Sequence, residues 1–193
     1  MDDALYRDIT EYARSTPGWV HKLAEVGTQA GLLLLMAVAL VVWWTARRGS
    51  ARGVALALLV PVTTAVAYGI SEIVKALVDE DRPCRTVTHA VRSIAACPAP
   101  GDYSFPSNHA TLAAALATGI LLARPLTAWL VVPMALLVAF SRVFLGVHYP
   151  HDVAAGLVLG TVVALLGARL LVRRGTALVE RARGGSLSFF VRA

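Results

Sequence analysis

The chain has 193 residues, 57% of them hydrophobic and only 16% charged, with a mean hydropathy of +0.65 and a formal net charge of +6. A soluble domain carries nearer a quarter charged residues; here the apolar residues also gather in long runs, which excludes an ordinary water-soluble globule and predicts an all-α membrane bundle. The excess of basic residues is not a nucleic-acid signature, because no recognition motif accompanies it and much of it lies flush against apolar runs, where it reads as an anchor to anionic lipid.

In chain order, residues 1–26 are polar and include Asp2, Asp3, Asp8, Glu11 and Glu25, unlike the short basic start of a cleavable signal peptide. Within them, residues 5–12 fit either an amphipathic helix lying on the membrane surface or a polar tail. A spanning helix needs about 20 apolar residues, and five stretches qualify: 27–45, 53–78, 108–123, 126–144 and 152–171. The third is short and rich in alanine, so it is expected inside the bundle, where small residues let backbones approach. Pro61 and Pro133 fall within the second and fourth stretches, where kinks are expected and tolerated. The expectation is one domain over 1–193, with a long loop at 79–107 and a basic tail at 174–193.

Topology follows from the placement of the arginines. Arg47, Arg48, Arg52 and Arg124 lie in two of the connections, and Arg169, Arg173, Arg174, Arg181, Arg183 and Arg192 at or beyond the end of the last stretch. Placing these in the cytoplasm puts the C-terminus inside and the 79–107 loop outside. That loop holds both cysteines, Cys84 and Cys97; an external loop favours a disulfide between them, with two free thiols as the other reading.

Three segments carry chemistry, and all three fall at the same membrane level. They are Lys75 to Arg82-Pro83, Pro106-Ser107-Asn108-His109, and Ser141-Arg142 through His148 to Asp152. Lys75, Arg82 and Arg142 supply three cations, two of them guanidiniums suited to bidentate phosphate binding. Ser107 and the backbone N–H groups opening the third span add neutral donors at a helix N-terminus. His148 and Asp152, four apart, can form a nucleophile and its orienting carboxylate, with His109 as general acid and base. His151 sits beside Asp152 and reads as a neighbour. Glu72, one turn before Lys75, reads as its partner, while Asp79, Glu80 and Asp81 read as a solvated run rather than a metal cluster. Arg85, His89 and Arg92 read as solvated loop residues.

The spacings K-x6-R-P, P-S-x-H and S-R-x5-H-x3-D resemble the type 2 phosphatidic acid phosphatase superfamily, which also includes vanadium haloperoxidases and glucose-6-phosphatase. The resemblance covers residues 75–152 and implies phosphatase chemistry on a helical bundle without a metal or cofactor. His148 would be the nucleophile, Asp152 its partner and His109 the acid; Lys75, Arg82, Ser107, Asn108 and Arg142 would bind phosphate. Two features depart from the pattern. Asn108 stands where the family usually has glycine, keeping the backbone N–H and adding an amide. Five spans stand where six are common in bacterial members, and the N-terminal surface helix is a candidate replacement.

A chain this hydrophobic points to a lipid phosphate substrate rather than to haloperoxidase chemistry. The run from Pro106 to Thr111 resembles the branch that cuts undecaprenyl or decaprenyl diphosphate to the monophosphate, at the outer face of a bacterial plasma membrane. Phosphatidate, phosphatidylglycerophosphate and polyprenyl-phosphate sugar phosphates remain alternatives, as do phosphotransfer and, outside enzymes, a transporter or scaffold. Oligomeric state is left open.

Overall fold

The computed structural model describes residues 2–88, 90–184 and 191, so His89 and most of the end of the basic tail lie outside the described residues. All regular structure among them is helical: α1 (Asp2–Ser15), α2 (Gly18–Ala46), α3 (Ala51–Val78), α4 (Pro83–Thr86), α5 (Asn108–Ala123), α6 (Ala128–Phe144) and α7 (Pro150–Arg183), with a 3-10 turn at Pro125–Thr127 before α6. Four segments are long and apolar enough to cross a membrane, built on α2, α3, α6 and α7, and α5 is a shorter apolar helix among them. The chain is an integral membrane protein, and its many exposed leucines, such as Leu33, Leu40, Leu137 and Leu170, are what a lipid-facing surface requires.

The helices outrun the apolar stretches that announce them. α2 begins at Gly18 rather than at 27, because His21, Lys22 and Glu25 interrupt the apolar run without interrupting the helix. α7 runs on to Arg183, so much of the expected tail is helix. Its 34 residues span about 51 Å at 1.5 Å each, well beyond a hydrocarbon core of about 30 Å. Pro61 and Pro133 lie inside α3 and α6, and both helices continue through them.

The alanine-rich α5 sits at the centre, with Ala110, Ala113, Ala114, Ala115 and Ala117 all buried. It packs against both α7 and α3. On α7, Gly156 and Gly160 face the α5 backbone so closely that a Cβ at Gly160 would press on Thr111 O and stand 2.9 Å from Ala115 N. This close approach, rather than bulky side chains, brings the start of α7 beside the start of α5, which is how the site is assembled.

The N-terminal segment is a docked helix and not a tail. Tyr6 of α1 is fully buried, and its hydroxyl donates to Gly146 O at 2.9 Å. Arg14 donates to Arg92 O at 2.7 Å and to Ser93 O at 2.8 Å, so α1 grips the long loop. Cys84 and Cys97 form a disulfide with Cα atoms 6.0 Å apart, tying α4 to the same loop. Closing a loop of this size constrains the unfolded chain by about 3 kcal/mol in the entropic account.

Gly160→Val should lower the detergent melting temperature sharply, since overpacking a tight contact costs about 1–3 kcal/mol or more. Gly69→Ala, at a helical glycine with nothing within 4 Å of the added Cβ, should leave it unchanged or raised. Thermal unfolding followed by circular dichroism checks both.

Candidate active site

Five helix ends converge at one end of the bundle. α3 delivers Lys75 in its last turn, and α6 delivers Arg142 in its last turn. Arg82 is the residue before α4, Ser107 the residue before α5, and His109 lies in the first turn of α5. After α6 the chain reverses at Gly146, whose φ of +79° is a conformation that side-chain-bearing residues avoid. A Cβ there would also meet Ser93 Cβ at 2.9 Å, so glycine is needed twice over. The reversal presents His148, and Pro150 then starts α7 with Asp152 in its first turn.

His148 is held at both ring nitrogens. Nδ1 is 3.2 Å from Asp152 Oδ2, and Nε2 is 3.0 Å from Arg82 Nη1. A guanidinium only donates, so Nε2 accepts and Nδ1 carries the proton donated to Asp152. The lone pair therefore resides on Nε2, the nitrogen that faces the cations. Asp152 is fully buried; its Oδ2 also accepts from Tyr149 N at 2.8 Å and from the Ser104 hydroxyl. Its Oδ1 faces His151 Nε2 at 3.3 Å. Burial pushes the His148 pKa down to about 4, with the neighbouring guanidiniums of Arg82 and Arg142 adding to the effect and the bond to Asp152 opposing it. At neutral pH the imidazole is uncharged, and the lone pair on its unprotonated Nε2 is what a nucleophile needs.

Arg82 bonds that nitrogen, Arg142 lies within electrostatic reach of the ring, and Lys75 within reach of Arg82. Arg82 donates from Nη1 to Val147 O at 2.9 Å as well as to His148, from Nε to Asp102 O at 2.8 Å, and from Nη2 to Asp102 Oδ1 at 2.9 Å. Lys75 Nζ lies 3.6 Å from the same carboxylate oxygen and 4.0 Å from Glu72 Oε1. Arg142 is within electrostatic reach of Arg82 and Asp102, and its Nε is buried without a hydrogen-bond partner, as is Ser107 Oγ. His109 Nε2 is 3.3 Å from Gln29 Oε1 of α2; the ring is within electrostatic reach of His148, Arg142, Arg82 and Lys75. A pocket with three cations, two orphaned donors and a neutral imidazole is built for a tetrahedral oxyanion.

Residues 56–176, which take in every one of these motif segments, match the PAP2 superfamily. The chain belongs to that superfamily. It is similar to an undecaprenyl-diphosphatase of Bacillus subtilis, 30% identical over 156 residues that make up 80% of this chain and 77% of that protein. It is also similar to a decaprenylphosphoryl-5-phosphoribose phosphatase of Mycobacterium tuberculosis, 44% identical over 103 residues covering 52% of this chain and 53% of the relative. An undecaprenyl-diphosphatase of Sulfolobus acidocaldarius is 42% identical over 74 residues, 38% of this chain and 36% of the relative. The chain thus spans about a third to a half of the length of those last two relatives. In fold it is similar to the crystal structure of Aquifex aeolicus LpxE, with a TM-score of 0.63 at 18% identity over 86% of this chain and 93% of that one.

On this PAP2 scaffold the residues singled out from sequence come together, with one change of detail. The Asn108 side chain does not point an amide into the cradle. Its Nδ2 donates to Glu72 Oε1 at 2.6 Å and its Oδ1 accepts from Ser71 at 2.7 Å, so the amide bolts α5 to α3 and only the backbone N–H remains for an anion. The backbone N–H of Ser107 is likewise engaged, donating to Asp152 O at 3.0 Å. Glu72 meets Lys75 as its spacing suggests.

Several site residues escaped the sequence reading. Asp102 and Ser104 come from an irregular segment where spacing carries no message, and His151, read as a neighbour of Asp152, lies in the first turn of α7; Gln29 had a signal, the only amide inside the first apolar stretch. Glu80, read as part of a solvated run, instead pairs with His151 at 3.1 Å. Glu80, His151 and Asp152 offer ligand atoms within 4.8 Å of one another, but the His151 ring nitrogen already stands between the two carboxylates and offsets their repulsion.

Asp102 sets its carboxylate against Arg82 and Lys75, where an external anion would have to compete with it. Burial acts to raise its pKa, yet the bond to Arg82 and the charges of Arg82 and Lys75 outweigh this and hold it below the usual carboxylate range. Asp102→Ala should therefore bind orthovanadate about tenfold more tightly, ~1.4 kcal/mol, read as a lower inhibition constant; an unchanged constant would show that the carboxylate does not compete.

Proposed function

We propose that the chain is a membrane lipid phosphatase that hydrolyses a polyprenyl diphosphate to the monophosphate through a phosphohistidine on His148. The observation that carries this reading is the lone pair of His148 Nε2, fixed by the Asp152 tether on the other nitrogen and aimed into a cluster of three cations. The names of the undecaprenyl-diphosphatase relatives supply the substrate class.

In this mechanism the terminal phosphate displaces the Asp102 carboxylate from Arg82 and Lys75. Arg142, Ser107 Oγ and the N–H groups opening α5 complete the cradle and hold charge on the equatorial oxygens of the transition state. His148 Nε2 attacks the terminal phosphorus as the bridging P–O bond breaks. With the negative charge of the bound phosphate beside it, His109 takes up a proton from solvent and passes it to the bridging oxygen, which departs with the lipid monophosphate. A water then gives a proton back to His109 and attacks the phosphohistidine, the N–P bond breaks, and inorganic phosphate leaves. Asp152 stabilises the imidazolium character that His148 acquires in the first step and loses in the second. The charge bias among the loops supports a site on the outer face of a bacterial plasma membrane, with the end of α7 in the cytoplasm.

Phosphate release from undecaprenyl diphosphate in detergent should fall by about three orders of magnitude or more in His148→Ala, and equal rates in variant and wild type would remove the reading. EDTA should leave the wild-type rate intact, because Lys75, Arg82 and Arg142 supply the positive charge. In a panel with phosphatidate and a polyprenyl-phosphoryl sugar phosphate, the diphosphate should turn over fastest.

The pH dependence follows from burial of His148. Only the neutral ring attacks, and its pKa is lowered to about 4, so the nucleophile stays competent as pH falls through the ordinary histidine range near 6.5 and is lost only around pH 4. The acid limb of kcat/KM should accordingly lie well below pH 6. A limb centred near 6.5 would mean that His148 is not buried as described.

A further inference from the structure

We propose that Glu80, His151 and Asp152 bind a divalent transition-metal ion of the zinc type, and that the bound ion slows turnover through Asp152. The binding stands on the geometry of these three side chains; the slowing rests on the phosphatase reading above.

An orphaned oxygen marks the place. Asp152 is fully buried; its Oδ2 accepts from Ser104, His148 and Tyr149, whereas its Oδ1 accepts no hydrogen bond. A buried carboxylate oxygen without a donor is costly, and a cation is one of the few groups that relieve it. His151 Nε2 stands 3.3 Å from that oxygen, but it is also 3.1 Å from both carboxylate oxygens of Glu80. A neutral ring has a single proton to give, and Glu80 receives it. The ligand atoms of all three residues lie within 4.8 Å of one another.

The donor set and its spacing suit zinc. One imidazole nitrogen and two carboxylate oxygens, with a position left for water, make an open tetrahedral site. Donors at about 2.0–2.1 Å from a tetrahedral ion sit about 3.3–3.4 Å from each other. The Nε2 distances of 3.1 and 3.3 Å are already close to that edge length. Zinc takes the Nε2 lone pair, leaving the ring proton on Nδ1, and its two charges match the two carboxylates. The ring is held in place, stacked on Tyr149 with centroids 5.2 Å apart and lying 5.8 Å from Phe105. Side-chain exposures of 36% for His151 and 30% for Glu80 leave the ion a way in from solvent. Magnesium and calcium, which prefer six or more oxygen ligands, fit poorly.

The ion acts through a single carboxylate. Asp152 Oδ2 orients His148 through Nδ1 at 3.2 Å, and its negative charge stabilises the imidazolium character that develops on attack. Zinc on Oδ1 draws that charge away and leaves the phosphate-binding cations untouched. The loss therefore falls on kcat rather than on KM. The metal-free chain is the active form, and chelation does not lower its rate.

The test uses the full-length chain in detergent, without an affinity tag and stripped with EDTA. Zn²⁺ binding by equilibrium dialysis, and phosphate release from undecaprenyl diphosphate with and without Zn²⁺, are compared in wild type, Glu80→Gln and His151→Ala. Wild type should bind a single Zn²⁺ even in excess Mg²⁺, and each substitution should weaken binding by about tenfold or more. Glu80→Gln, an isosteric change on the loop, keeps the test open if His151→Ala fails to fold. Zinc should lower the wild-type kcat about tenfold, reversibly with EDTA, while each variant loses less than about twofold against its own zinc-free rate. No binding by wild type, or equal binding by all three proteins, would overturn the site. Binding with unchanged kcat, or equal slowing of all three through zinc captured by the diphosphate, would overturn the slowing. A wild type that binds zinc as expected yet releases no phosphate with or without it would remove the hydrolase reading and leave the site standing.

Discussion

The bond between His148 and Asp152 is the constraint around which the rest of this molecule is organised. A carboxylate with no exposure to water is expensive to keep ionised unless donors surround it. Asp152 Oδ2 accepts from Tyr149 N, the Ser104 hydroxyl and His148 Nδ1, while its Oδ1 makes no hydrogen bond and has the His151 ring as an ion-pair neighbour. Each of these groups comes from a segment that something else must hold. Tyr149 N belongs to the turn that starts α7. Ser104 is fixed by its own N–H on Glu80 O at 2.7 Å, and His151 by Glu80. The long loop is thus anchored to the base of α7 through the carboxylate that orients His148. The docking of α1 onto Gly146 and the disulfide within the loop support the same point from outside.

The second organising fact is that three cations are gathered where burial should keep them apart. Lys75 and Arg82 are both buried, and they converge on a single carboxylate, Asp102, which is half exposed at the mouth of the pocket. An arrangement of this kind balances its charge in the resting state with a group that solvent and substrate can replace. The neighbouring imidazole stays neutral because it is buried among these cations, so it can approach an anion without surrendering its lone pair to a proton. Charge balance and nucleophilicity have one cause, the low-dielectric pocket made by close packing of α5 against α7 and α3.

How much of this could be read from sequence depends on whether a residue sits on regular structure. The pairing of His148 with Asp152 was legible because four residues make one helical turn, and Lys75, Arg142 and His109 because each is near the end of an apolar run. Five hydrophobic stretches announce the bundle, although His21, Lys22 and Glu25 hide the first turns of α2 and Arg173, Arg174 and Arg181 hide the last turns of α7. Asp102 and Ser104 were invisible, since their positions depend on how an irregular loop folds back. Asn108 was legible as a member of the motif but not in its detail: whether its amide faces phosphate or α3 depends on Ser71 and Glu72 across a helix interface. Tyr6 could not decide between docked helix and tail, because its partner Gly146 is 140 residues away.

The length of α7 has a consequence for where the chemistry sits in the bilayer. From Asp152 to Arg173 the helix rises about 32 Å, close to the thickness of the hydrocarbon core. Arg173 and Arg174 are exposed, and guanidiniums settle among phosphate headgroups, so they fasten one end of this rod to its leaflet. The other end carries the carboxylate that holds His148. A rigid helix of that length works as a depth gauge: it sets the altitude of the imidazole about one hydrocarbon thickness from the anchored guanidiniums, at the opposite headgroup plane.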